Sequence, residues 1–170
     1  MKPRLLIGAV AAYFAFFGGV VALIGLIRHH GSRGPAQPIA FSHALHAGRL
    51  ELECLFCHAG TDQGPSAGVP PVQLCMQCHE NVAIDRPEVQ KVRAHWERKD
   101  PIEWVRIHRV PDHVYFTHKR HVKAGLACTE CHGEVTAAER MRQVRSLKMG
   151  WCVHCHRAHG APTDCWTCHK

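Results

Sequence analysis

Five repeats of Cys-x-x-Cys-His constrain this chain more than any other feature. They read Cys54-Leu-Phe-Cys57-His58, Cys75-Met-Gln-Cys78-His79, Cys128-Thr-Glu-Cys131-His132, Cys152-Val-His-Cys155-His156 and Cys165-Trp-Thr-Cys168-His169. This spacing attaches c-type haem: the two thiols form thioethers to the porphyrin vinyls, and the adjacent histidine supplies the first axial ligand. All 10 cysteines fall inside these motifs, leaving none for another framework. Structural zinc takes four ligands per ion, and five pairs do not divide into sites of four. A disulfide framework has no reason to repeat one pentapeptide five times. The sequence therefore predicts five haem c groups, with His58, His79, His132, His156 and His169 as proximal ligands.

A length of 170 residues allows one membrane anchor and one exported domain. The chain has only 4 Trp, 2 Tyr and 6 Phe, and several of these lie in its first 30 residues. The exported part is thus poor in core-forming side chains, and five covalent porphyrins would stand in for the core. The formal net charge of +7 would ordinarily suggest nucleic acid or anionic lipid. Five haems bring about ten ionisable propionates, which the basic residues offset. Nucleic acid is therefore not expected as a partner.

Lys2 and Arg4 precede an uncharged apolar run from Leu5 to Ile27, followed by Arg28-His29-His30. The run is long enough to cross a bilayer as a helix and lacks the small-residue cleavage site of a signal peptide. Residues 1–30 are read as an uncleaved, single-pass anchor in membrane lipid. Lys2 and Arg4 suit the cytoplasmic side, although Arg28 and Arg33 weaken the asymmetry. Because c-type haem is attached outside the cytoplasm, the haem domain belongs on the periplasmic or extracytoplasmic face.

Residues 31–40 form a Gly/Pro linker, and 41–170 the haem domain. Within it Phe-x-His-x-x-His occurs twice, at 41–46 and 116–121, each copy followed by two haem motifs. That pattern divides the domain into two-haem units at 41–100 and 101–160, with the fifth haem at 161–170. A helix is expected over 86–99, capped by Asp85 with Glu88 three residues on, and an amphipathic helix over Glu134–Leu147. The fold class is a mostly α, irregular multihaem cytochrome c domain with few strands, behind one transmembrane helix.

Low-spin haem iron takes a second axial ligand, usually His or Met. His43 and His46, and likewise His118 and His121, stand three apart and project from one face of a helical turn. They are expected as four distal ligands. For the fifth distal position His108 and Met149 lead. His113 and His159 are weaker choices, and His95 and His154 are set aside.

Phe-x-His-x-x-His before Cys-x-x-Cys-His resembles the class III multihaem cytochromes. Longer stretches are more specific: Ser66 to His79, Pro101 to Asp112, Val114 to Val122 and Met149 to Arg157. These resemble the ActA family, the membrane-anchored pentahaem cytochrome c subunits of alternative complex III. The related subunits of menaquinone reductases share the features but resemble six-haem proteins. The resemblance implies an electron-transfer subunit of a membrane quinol oxidoreductase, passing electrons from quinol oxidation to a cytochrome c or other periplasmic acceptor. It also implies partners: an iron–sulfur/molybdopterin-like subunit, polytopic quinol-binding subunits and a monohaem cytochrome c. No general acid or nucleophile constellation is present, so the chain alone is not expected to be catalytic. A stand-alone quinol dehydrogenase of the NapC/NrfH type is the alternative, but one anchor helix offers little apolar wall for a quinone pocket.

Overall fold

The computed structural model describes residues 3–31 and 34–170. Lys2 and Arg33 lie outside the described residues, as do the side chains of Arg4, Arg28, His29 and His30, so the orientation argument is not addressed structurally. The chain divides into two compact units, Met1–Gly34 and Pro35–Lys170.

The first unit is a single helix, α1 (Pro3–Gly31). Its stretch Ile7–Ile27 is long and apolar enough to cross a membrane, and its side chains are unburied. Twenty-one residues at about 1.5 Å each span about 31 Å, the thickness of a hydrocarbon core. A helix suits that setting because every backbone polar group between its ends is paired within the segment. Tyr13 lies one turn from Phe17, the rings stacked with centroids 6.0 Å apart.

The second unit is built of short helices joined by irregular chain, with no strand among the described residues. In order these are a π-type turn (Ala44–Arg49), α2 (Cys54–Cys57), α3 (Val72–His79), α4 (Pro87–Arg98), α5 (His118–Lys123), α6 (Cys128–His132), a 3-10 turn (Val135–Ala137), α7 (Met149–Ala158) and α8 (Cys165–Cys168). Its apolar core is small. Ile39, Met76, Val92 and Ile102 cluster where α3 packs on α4, joined by Val72, Cys75 and Trp104. No large side chain is completely buried among the described residues.

The expected helix over 86–99 is α4, with Pro87 in its first turn, where a missing N–H costs nothing. Its cap differs from expectation. Arg86 holds the N-cap position without a side-chain bond, and the Glu88 carboxylate instead accepts from the Ala40 amide at 2.6 Å and pairs with Lys91 at 2.7 Å. Glu88 is thus spent tying the segment after the linker to α4. At the other end Lys99 adopts a left-handed φ of 57° and Pro101 follows, which stops the helix.

The amphipathic helix expected over Glu134–Leu147 does not form. Only Val135–Ala137 makes a 3-10 turn, and the rest is irregular. Val135, Ala138, Met141 and Val144 are half-buried along irregular chain instead, and a short helix is marginal unless tertiary packing favours it. Instead the Ala138 carbonyl accepts from the Ala44 amide at 3.0 Å, so this segment serves the first His-x-x-His turn.

Candidate functional site

Each Cys-x-x-Cys-His motif winds into a helical turn, entered from an extended residue in every case where the turn opens on the motif itself. The i, i+3 spacing places the two thiols on one face, with the histidine next in line. None of the ten cysteines is in a disulfide. No cluster of three or more His, Cys, Asp or Glu side chains able to hold a bare metal ion occurs among the described residues. The motifs therefore do not combine into four-thiolate sites.

The thiols define an order. Burial raises the pKa of Cys57, Cys75, Cys128, Cys131 and Cys152, and neighbouring thiols add to the effect. Cys75 feels Cys57, and Cys128 both feels and hydrogen-bonds Cys54. Cys131 feels Cys155, and Cys152 feels Cys168. The motif neighbours thus run second, first, third, fourth, fifth. A shallow cavity of ≈ 300 Å³ lies between the first and second motifs, lined by residues including Phe56, Cys57, Pro71 and Leu74.

The repeat seen in the sequence is also a repeat in space. Phe41 stands edge-on to His43 at 4.9 Å and stacks on His46 at 4.3 Å. Phe116 stands edge-on to His118 at 4.8 Å and lies against His121 at 4.7 Å. In each copy the second histidine donates from Nδ1 to the carbonyl four residues back, His46 to Ser42 and His121 to Thr117.

These histidines meet the motif histidines. His46 faces His79 with ring centroids 6.1 Å apart, His121 faces His156 at 6.0 Å, and His118 faces His132 at 6.3 Å. With metal–imidazole nitrogen distances of about 2.0 Å, two rings that grip one ion from opposite sides have centroids about 6 Å apart. His43 is pushed down to about 4, chiefly by burial and then by His58, which lies within charge range. Its buried Nδ1 has no protein partner. In both copies the second histidine thus faces the second following motif, and in the second copy the first histidine faces the first.

His113 stacks on His169 at 5.3 Å, with 20° between the rings. The two are further linked because His169 Nδ1 donates to the His113 carbonyl at 2.9 Å. Sequence reasoning had placed His113 behind His108 and Met149. A signal was available: Phe116 has a histidine three residues upstream, whereas Phe41 has Pro38 there, and only the second copy is followed by an extra motif. His108 lies instead against His132, with centroids 4.4 Å apart. Met149 opens α7 and is 70% exposed. His154 and His159 are exposed, and His95 pairs with Asp100 at 3.0 Å.

Hydrogen bonds prepare the rings for ligation. His46, His58, His79, His118, His121, His156 and His169 each direct Nδ1 at a backbone carbonyl. That bond selects the tautomer whose Nε2 lone pair is free for a metal. Burial also holds His132 near about 4, so its ring is neutral. Paired imidazoles beside paired free thiols, in a domain with little core of its own, fit covalently attached haem.

Two similarities to known proteins bear on the domain as a whole. Residues 114–170, which contain the second His-x-x-His and three of the motifs, match the family model "Cytochrome c7 and related cytochrome c". The matched stretch is the C-terminal third of the chain, and it is this part that is similar to the multihaem cytochromes c. Over 161 aligned residues it is 28% identical to the "Menaquinone reductase, multiheme cytochrome c subunit" of Nitratidesulfovibrio vulgaris, covering 79% of this chain and 77% of that one. Cytochromes c hold c-type haem, and the paired thiols and imidazoles of this chain fit that group.

Proposed function

We propose that this chain is the pentahaem electron-transfer subunit of a membrane quinol oxidoreductase of the alternative complex III type, passing electrons from quinol oxidation to a cytochrome c or other periplasmic acceptor. The observation that carries the reading is that each motif histidine has a second histidine near it, which leaves no site with an obvious vacancy for substrate. Bound haem supplies reversible one-electron chemistry. The chain's own residues do the rest. Ten cysteines, from Cys54 to Cys168, tether the groups. We assign the axial pairs as His43 with His58, His46 with His79, His118 with His132, His121 with His156 and His113 with His169. Supporting them are the ring separations of 5.3–6.3 Å measured for four pairs, and the charge coupling of the remaining one. On this assignment neither His108 nor Met149 is a ligand.

Kinship to a menaquinone reductase subunit supports the quinol-linked setting. The partners proposed are an iron–sulfur/molybdopterin-like subunit, polytopic quinol-binding subunits and a monohaem cytochrome c. The apolar helix anchors the chain in the membrane, with the N-terminus cytoplasmic. The test is haem staining of a native gel run on gently solubilised source membranes, with mass spectrometry of the stained band. The expected result is this chain in a large assembly with cofactor-bearing partners. Haem running at the size of this subunit alone, or with one soluble reductase, would replace this reading with a stand-alone quinol dehydrogenase.

A further inference from the structure

Eight of the ten paired histidines have a hydrogen-bonded Nδ1. Seven of those bonds end on a backbone carbonyl. The eighth does not: His132 Nδ1 meets His108 Nε2 at 3.3 Å, with the rings at 84°. His108 is half-buried, so this is not a contact between two solvated surface rings.

The segment that bears His108 is held in place. Ile102 is buried in the core cluster and Trp104 packs against it. One residue further on, the Gln37 side-chain amide pairs with Val105 in both directions, Nε2 donating to the Val105 carbonyl at 3.0 Å and Oε1 accepting from the Val105 amide at 2.8 Å. A side chain thereby takes the place of a neighbouring strand, and it does so three residues before His108. The irregular chain from 99 to 111 has no helix or sheet to position it, so this clamp and the core contacts set where His108 lies.

We propose that His108 is a positioning residue that accepts a hydrogen bond from His132 and so sets the haem held by Cys128, Cys131 and His132 apart in potential from the other four. The inference rests on the axial assignment above. An imidazole nitrogen is a more basic acceptor than an amide carbonyl. A stronger pull on the Nδ1 proton makes the ligating nitrogen a better donor, which favours ferric iron. The third motif is the one whose thiols adjoin both the first and the fourth, so the residue acts at the middle of the row.

The experiment is an equilibrium redox titration of the full-length, haem-loaded protein in detergent. Optical detection is combined with paramagnetic resonance for spin state and haem-methyl NMR to assign each potential. The variants are His108→Leu, which removes the acceptor, His108→Gln, which restores one, and Gln37→Leu, which frees the segment without touching any site. His108→Leu is expected to lower the ferric-to-ferrous ratio of the third haem about three- to tenfold at a fixed poise, the size of one lost hydrogen bond. Tenfold corresponds to about 59 mV for one electron. All haems should stay low-spin, His108→Gln should recover most of the shift, and Gln37→Leu should give a smaller shift of the same sign. No shift in His108→Leu, or an equal shift at every haem, would overturn the proposal. So would a new high-spin signal in that variant, which would make His108 an axial ligand. Absence of haem at His132 in the unaltered protein would overturn this proposal and the five-haem reading together. Absence at any other site would overturn the five-haem reading alone.

Discussion

His113→Ala is the residue-scale experiment that separates two accounts of the fifth site. The assignment proposed above gives the fifth distal position to His113, which stacks on His169, and leaves the exposed Met149 outside it. His113→Ala should turn one low-spin haem high-spin, visible by paramagnetic resonance, with total haem unchanged by pyridine haemochrome. Met149→Leu should leave all spin states as they were. If the two variants behave the other way round, the fifth site has a His–Met pair and a correspondingly higher potential. The motif histidines were legible in the sequence because haem attachment chemistry dictates the position after the second cysteine. The approach of His113 to His169 was only weakly signalled, by its place three residues before Phe116, because a second ligand can arrive from anywhere the chain can reach. Its pairing depends on where α8 returns, and that return is fixed by a backbone bond from the Tyr115 amide to the Cys168 carbonyl at 2.8 Å.

At the scale of elements, the π-type turn that carries His46 sits directly on the 3-10 turn Val135–Ala137. Gly48 makes this approach possible, since a Cβ there would collide with the backbone carbonyl of Thr136. That partner is backbone and cannot swing aside. Gly48→Ala should therefore destabilise the haem-loaded domain by about 1–3 kcal/mol, the usual cost of overpacking, measurable as a lower denaturant midpoint. Gly125→Ala is a useful contrast. Nothing lies within 4 Å of its added Cβ, but φ is +78°, so any loss there is backbone strain rather than collision. In the core, Ile102→Ala should cost about 2–5 kcal/mol. It should also loosen the chain leading to His108, so that the third haem shifts as it does in Gln37→Leu. Helix α4 was foreseeable from the start signals around Asp85, Pro87 and Glu88 and the stop at Pro101, although the cap itself differs. The segment 134–147 has helical periodicity too, but it meets its neighbours as a short 3-10 turn and irregular chain, and only the packing distinguishes the two.

The molecule as a whole has few ways to stay folded without its cofactors. Its core comprises Ile39, Met76, Val89, Val92 and Ile102, five medium-sized residues for everything after residue 34. Burying a side chain of that size contributes about 1.5–3 kcal/mol, far below the conformational entropy of a chain this long. Expression where haem is not attached should give a chain with little cooperative unfolding by circular dichroism and rapid proteolysis. Maturation should restore both, with a mass increase of five haems. A cooperatively folded, protease-resistant apoprotein would overturn that account of the core.

What the sequence determined by itself is the covalent chemistry. Ten cysteines in five motifs, their following histidines, the doubled Phe-x-His-x-x-His and the apolar N-terminal run all act through local spacing, and local spacing survives without knowledge of the fold. The tertiary structure decided which histidine meets which. It put the thiols of the first motif near those of the second and third, brought His113 to His169, and set His108 against His132. Such contacts join residues far apart in the chain, 56 positions for His113 and His169. They depend on a handful of long-range anchors, such as the Gln37 amide on Val105 and the loop carbonyl of Pro65 on His118, that no periodicity in the chain announces.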